Sequence, residues 1–308
     1  MPEHADAIKY QPHVAANIAF GLIYAILGGI FSWRIHHHKN KWALCLPIGA
    51  VASAIGFFCR PAIDPKNLIV PLFVFQNILV IATPSAFLAF NYMLYGRLIT
   101  AIDPQFGADG SQSRMEKSRY SFIPPRIVGR AFIWSDISTF LIQVAAGSML
   151  GNAGDNLSLA NIGDKLFLVG VCAQGASYSL FSVLLSMALG RLISERRKAR
   201  MGFDRNTVVI FSGLYFSSLF IIIRSVYRII EFVQGHDGYL ISKEVFLFVL
   251  DAVPLIFAIG IWAIVWPPVL LERITVQVRE GLHGHSMKDG NTGLRIPSHE
   301  SSDRSELV

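Results

Sequence analysis

The chain has 308 residues, 53% hydrophobic and 16% charged, with net charge +6 and mean hydropathy +0.47. Soluble domains carry about 25% charged residues, so an ordinary soluble fold is excluded, and apolar runs fill the length that two soluble domains would need. Positive charge on a soluble chain would point to nucleic acid; here it sits in short connections between apolar runs, where it sets membrane orientation.

The runs are each about 20 residues or longer, the length a helix needs to cross a bilayer. They predict an all-α polytopic membrane protein, a bundle of seven transmembrane helices filling 14–266. Residues 1–13 are polar, lack the basic region of a signal peptide, and are read as an extracellular N-terminus. Span 1 covers 14–35. His36-His37-His38 follows beside Arg34, Lys39 and Lys41 and reads as a solvated basic loop, not a metal site. Span 2 covers 42–59. Span 3, 68–95, is long enough to tilt or protrude, and places Gln76 and Asn77 about 12 Å from its outer end. Span 4, 128–150, carries Asp136, Gln143 and Gly147 on one stripe. The sequon Asn156-Leu157-Ser158 lies in the next connection.

Span 5, 165–192, is likewise long enough to tilt or protrude, and places Gln174 about 14 Å deep. The 191–205 connection, with Glu195-Arg196-Arg197-Lys198, is the most basic and suits anionic headgroups. Span 6 covers 207–231 and span 7 covers 245–266. Pro267-Pro268 then stops the helix. The tail, 267–308, is read as cytosolic, interfacial over Val269–Val278 and disordered from about 280. Cys45, Cys59 and Cys172 are odd in number and read as small hydrophobes rather than a disulfide framework.

Orientation follows from Lys and Arg. With the span-end residues Arg34, Arg191 and Lys165 counted to the connections beside them, the connections after spans 1, 3 and 5 and the tail hold nineteen, against five in the N-terminus and the other connections. Positive segments stay cytosolic, so the N-terminus is expected outside and the C-terminus inside. The sequon then falls outside, where glycosylation occurs. Trp33, Trp42, Trp262 and Trp266 sit at span ends on the cytosolic side, as an aromatic belt would.

Polar groups inside spans are expensive and mark function by default. Arg224, Tyr227, Arg228 and Glu231 are spaced i, i+3, i+4, i+7, so they share one face of span 6. Asp251 on span 7 reaches the same depth as Arg224, about 10 Å below the outer surface, and pairs with it in sign. With Gln76, Asn77, Gln143, Gln174 and Asn17, and Asp136 deeper, six of seven helices place polar groups in the outer half. The expected result is a polar cavity open toward the outside or the outer leaflet; the competing reading is polar glue between helices. Pro47, Pro71, Pro84 and Pro254 lie in spans and predict freed carbonyls and kinks. No span interior carries histidine, and there is no G-x-S-x-G elbow or nucleotide loop. The chain is therefore read as no enzyme, with no cofactor and no metal.

Arg224-Ser-Val-Tyr227-Arg228-Ile-Ile-Glu231-Phe232, followed by Gly235, Gly238, Glu244 and Asp251, resembles the signature of the fungal RTA-like family. That family is named for resistance to aminocholesterol and is also called the lipid-translocating exporter family. Tyr10-Gln-Pro12, Pro84-Ser-Ala-Phe, Tyr92-Met-Leu-Tyr-Gly96-Arg97, Asp136 with Gln143, and Gln174-Gly175 agree with it. The likeness covers about residues 10–270; Gly147-Ser-Met is less glycine-rich than the family pattern. The resemblance implies a seven-helix protein of the plasma membrane or an endomembrane, linked to sphingoid-base export, lipid asymmetry and resistance to toxic amphiphiles.

Two functions stay open. One is a translocator of amphipathic lipids such as sphingoid bases or sterol-like compounds, with Glu231 and Asp251 for an amine and Arg224 and Arg228 for a phosphate or for balancing those acids. The other is a receptor-like sensor or regulator of lipid homeostasis, meeting cytosolic partners at 191–205 and the tail. Membrane lipids and an amphipathic small molecule are the expected partners.

Overall fold

A computed structural model describes residues 13–62, 70–103, 124–152, 156–198, 204–234 and 244–292. Seven helices are long and apolar enough to cross a membrane, and the described residues contain no strand. The protein is a multi-pass integral membrane protein.

Helix α1 (Val14–His38) ends on Lys39, whose positive φ of 54° breaks the helix, with His36, His37 and His38 as its last turn. Cationic side chains suit the negative end of the helix dipole there. A 3-10 turn, Lys41–Leu44, leads straight into α2 (Cys45–Cys59), so α1 and α2 form a tight antiparallel hairpin. Helices α3 (Val70–Ile102), α4 (Pro125–Asn152), α5 (Leu157–Lys198) and α6 (Arg205–Val233) follow. Helix α4 begins on proline, whose missing N–H costs nothing at the first position. Asp204 caps α6 by accepting the Thr207 N–H at 3.3 Å. At 42 residues, α5 is about 63 Å long. That is longer than a bilayer crossing needs, as the length of the run 165–192 led one to expect, and the helix extends past both ends of that run.

The seventh span, α7, is irregular: one turn Glu244–Phe246, a π-helical stretch Leu247–Ala252, then α-helix Val253–Ile264. Pro254 explains it. Proline cannot donate to the carbonyl four residues back and its ring crowds that carbonyl. The chain relieves this by widening the turn, and the Val253 N–H bonds the Phe248 carbonyl instead. Of the other span prolines, Pro47 is the third residue of α2, where no helical bond is lost; only Pro84 sits deep inside an uninterrupted helix. After Pro267 an eighth helix, α8 (Pro267–Thr292), lies against α3 and α6. Its helical part runs past Val278, the end of the apolar stretch.

The spans alternate, so one end of the bundle, here the proximal end, holds the starts of α1, α3, α5 and α7. The distal end holds the starts of α2, α4 and α6, and α8. Leu22, Ile26, Leu141, Leu180 and Ile264 face outward, while Asp136, Gln143, Arg224, Glu231 and Asp251 are buried. This is the polarity of a bundle whose solvent is lipid. Of the tryptophans expected in a belt, only Trp33 is strongly exposed. Trp262 and Trp266 are buried, and Trp42 stacks on Phe90 at 5.5 Å. They are core because Trp262 packs against Gly213 of α6 and Phe90 of α3, and Trp266 stacks on Phe31 of α1. Gly213 on α6 lets Trp262 approach; a Cβ there would lie 2.9 Å from the indole. The three cysteines are free and half-buried.

Candidate functional site

The helical spacing on α6 places Arg224, Tyr227, Arg228 and Glu231 toward α7, where the π-turn presents Asp251. Arg228 donates to Asp251 through Nε (2.9 Å to Oδ1) and Nη2 (3.1 Å to Oδ2), a two-pronged contact. Its Nη1 donates to Glu231 Oε2 at 3.0 Å, and the Tyr227 hydroxyl donates to Glu231 Oε1 at 3.1 Å. Arg224 Nε lies 2.9 Å from Asp251 Oδ1, but its N–H is not aimed at that oxygen, so the contact is ionic without a hydrogen bond. The expected Arg224–Asp251 pair is therefore present, but Arg228 is the better-oriented partner. Two guanidinium groups and two carboxylates leave the cluster neutral. Such charges gather in a low-dielectric interior because an isolated one there is costly.

The π-turn is held from across the bundle. The Tyr24 hydroxyl on α1 donates to the Ala252 carbonyl at 3.0 Å. A cavity of about 30 Å³ adjoins Asp251, lined also by Tyr24, Ser53, Arg60, Gln76 and Thr83. That is room for a water or two. Gln76 thus joins the charged cluster, as its depth on span 3 suggested. The side chain of Asn77 lies outside the described residues.

Gln143 and Gln174 form a separate group: Gln143 Nε2 donates to Gln174 Oε1 at 3.1 Å, and Gln174 Nε2 donates to Ser85 Oγ at 3.0 Å. This chain links α4, α5 and α3. Gly170 lets Gln143 in, since a Cβ there would meet Gln143 Cγ at 2.7 Å. Asn17 belongs to a third group near the proximal end. Its Nδ2 donates to Glu244 Oε1 at 2.9 Å, while Glu244 Oε2 accepts the His13 N–H at 2.8 Å and Arg60 lies 3.8 Å from Oε1. Glu244 thereby caps the start of α1 from α7, where a carboxylate suits the helix dipole. Among the described residues these polar groups therefore pair with one another in three separate sets.

Asp136 stands apart. It is 3% exposed, both carboxylate oxygens lack a hydrogen bond of good geometry, and it forms no ion pair among the described residues. Its polar neighbour is the Tyr92 hydroxyl. The Tyr92 ring is surrounded by Phe132, Tyr178 and Phe181 with centroids 4.7–6.0 Å away. Behind it a buried network joins α3, α5 and α6: Asn91 Nδ2 donates to the Tyr178 hydroxyl and to Ser217 Oγ, each at 3.0 Å, and Tyr178 shares a bond with Ser218. Sequence reasoning missed this network, whose signal was polar residues at Asn91, Tyr178 and Ser217-Ser218 inside apolar runs. It also missed a recess of about 660 Å³ at the distal end, between α3, α4 and α8.

The family model described as "RTA1 like protein" matches residues 46–274, from α2 into α8, which takes in the charged cluster and the Gln143–Gln174 group but not Asn17. The chain belongs to the RTA1-like family. Protein RTA1 of Saccharomyces cerevisiae is 21% identical to this RTA1-like chain over 294 residues, 87% of each. Protoporphyrin uptake protein 1 of the same species is 26% identical over 68% of this chain and 64% of its own. Sphingoid long-chain base transporter RSB1, also of S. cerevisiae, is 23% identical over 80% of this chain and 69% of its own. No solved structure matches this RTA1-like protein.

Proposed function

We propose that this RTA1-like protein translocates amphipathic lipids that carry an amine, with the N-terminus outside and the C-terminus in the cytosol, in the plasma membrane. The observation that carries the reading is Asp136: a carboxylate within the hydrophobic span, unpaired, beside an aromatic group. An isolated buried charge is costly, and the cost falls when an ammonium arrives. The name of a sphingoid long-chain base transporter among the relatives agrees with an aminolipid cargo.

In this reading Glu231 and Asp251 do not take the amine, because Arg228 and Arg224 already occupy them. The four-charge cluster, Tyr227 and Gln76 hold α6, α7 and α3 together at the irregular α7. Gln143 and Gln174 offer the uncharged polar groups that a headgroup meets on leaving Asp136 for the proximal side. The orientation rests on the nineteen basic residues assigned to the distal connections and tail.

The test is movement of a labelled sphingoid base across liposomes holding the purified protein. Asp136→Asn keeps size and hydrogen bonding but removes the charge, and is expected to abolish transport of the amine while sparing a neutral analogue. Equal transport of the amine by the native protein and Asp136→Asn overturns the reading. A receptor-like sensor is the second reading, favoured by the self-neutralised cluster that locks α6 to α7. It gains if the native protein binds the amine without moving it.

A further inference from the structure

The distal recess is built for a different headgroup. Its volume, about 660 Å³, lies in the range of ligand pockets. Three helices each bring one arginine to it: Arg97 from α3, Arg130 from α4 and Arg279 from α8. Glu272 is the one carboxylate among the lining residues, so the lining carries an excess of two positive charges. The Arg97 guanidinium is held 4.7 Å above the Trp42 ring, which fixes its plane. Beneath the arginines the wall is apolar, formed by Met93, Ile133, Leu271 and Val278.

Helix α8 supplies its wall from one face. Pro268, Leu271, Glu272, Thr275, Val278 and Arg279 recur at helical spacing. Buried Leu271 and Ile274 anchor that helix to the bundle. A cationic rim over an apolar wall, at the end of a membrane bundle, matches an anion attached to a hydrocarbon chain. Arginine forks suit the oxygens of phosphate.

We propose that this recess binds the phosphate-bearing headgroup of a membrane lipid from the leaflet at the distal end, with the chain against the apolar wall. The recess shares Tyr92 with the surroundings of Asp136, but its occupancy is read as retained lipid without transport, so its failure is distinguishable from failure of amine translocation.

The full-length protein, purified in neutral detergent, is titrated with phosphatidic acid, with diacylglycerol of the same chains, and with inorganic phosphate, reading retained lipid by native mass spectrometry. Phosphatidic acid is expected to be retained, and the other two not. Arg130→Gln with Arg279→Gln, both at exposed positions, is expected to weaken retention about tenfold per arginine. Thr275→Trp fills the recess without altering charge and is expected to abolish retention. Arg273→Gln with Lys165→Gln, an equal loss of charge at exposed positions outside the recess, is the control and is expected to leave retention unchanged. Melting without lipid shows that each variant folds; should Thr275→Trp unfold, the arginine variant decides. Equal retention of diacylglycerol, or an equal loss in the control, overturns the site. Displacement by inorganic phosphate at matching concentration overturns the lipid assignment.

Discussion

Removing either arginine of the buried cluster leaves a different residue of charge, and the two losses are expected to differ. Asp251 is 5% exposed and receives two hydrogen bonds from Arg228 but none from Arg224. Arg228→Met strips both, and also the Nη1 bond to Glu231. Two buried carboxylates then share one poorly aimed guanidinium. Breaking a buried pair by deleting one partner costs about 3–5 kcal/mol, and the upper half of that range is expected here. Arg224→Met leaves the Arg228 fork on Asp251 intact, and its expected cost is about 1–3 kcal/mol. Methionine keeps much of the side-chain volume, so packing loss is small in both. The assay is a double-mutant cycle with Asp251→Asn, read by reversible unfolding in mixed micelles. Coupling of Asp251 to Arg228 is expected to exceed coupling to Arg224. Equal couplings, or a larger one for Arg224, would refute the assignment of Arg228 as the principal partner.

Two glycines test the packing. Gly213→Ala drives a methyl against the buried Trp262 ring and is expected to cost about 1–3 kcal/mol, whereas Gly147→Ala meets nothing within 4 Å and is expected to gain about 0.5–1 kcal/mol; melting of the two variants side by side checks both signs. Gln174→Leu removes the bridge between Gln143 and Ser85 and is expected to cost about 0.6–2 kcal/mol of helix association, with surface expression retained and sphingoid-base movement slowed. A C-terminal tag is expected to resist external protease in intact cells, and its cleavage there would reverse the proposed orientation.

Seven spans were legible because lipid imposes one rule on every residue that faces it: about 20 apolar positions per crossing. Where that rule stops acting, the reading stopped too. Helix α5 continues well past 165–192 because its outer turns are polar and helical, and hydropathy measures only the apolar part. The π-turn at Leu247–Ala252 was signalled by Pro254 alone, and a proline specifies a disturbance without specifying whether it becomes a kink or a widened turn. The tryptophans went the other way. A residue near a span end has two apolar places to go, headgroup region or core, and only the approach allowed by Gly213 and the rings of Phe90 and Phe31 send Trp262 and Trp266 inward.

The site divides along the same physical line. Arg224, Tyr227, Arg228 and Glu231 were legible because one helix face is fixed by spacing, and Asp251 because depth along a span is arithmetic. Which arginine takes which oxygen was not legible, since that depends on rotation of α7 about its own axis, set by the π-turn. Depth also failed to distinguish a layer from separate groups. Gln143 and Gln174 lie at similar depth to Asp251 yet bond to each other and Ser85. The reason is that lateral position in a bundle comes from helix order and close approach, here through Gly170, which depth does not encode. Asp136 was visible as a polar residue, but its lack of a partner is a property of everything around it. That lack is what separates it from the other acids: Asp251, Glu231 and Glu244 each have a cation or a helix end to answer them, so their burial is explained by the fold. Asp136 has neither among the described residues, only the Tyr92 hydroxyl beside it, and that difference is why the proposed reading assigns the amine to Asp136 rather than to the acids of the cluster.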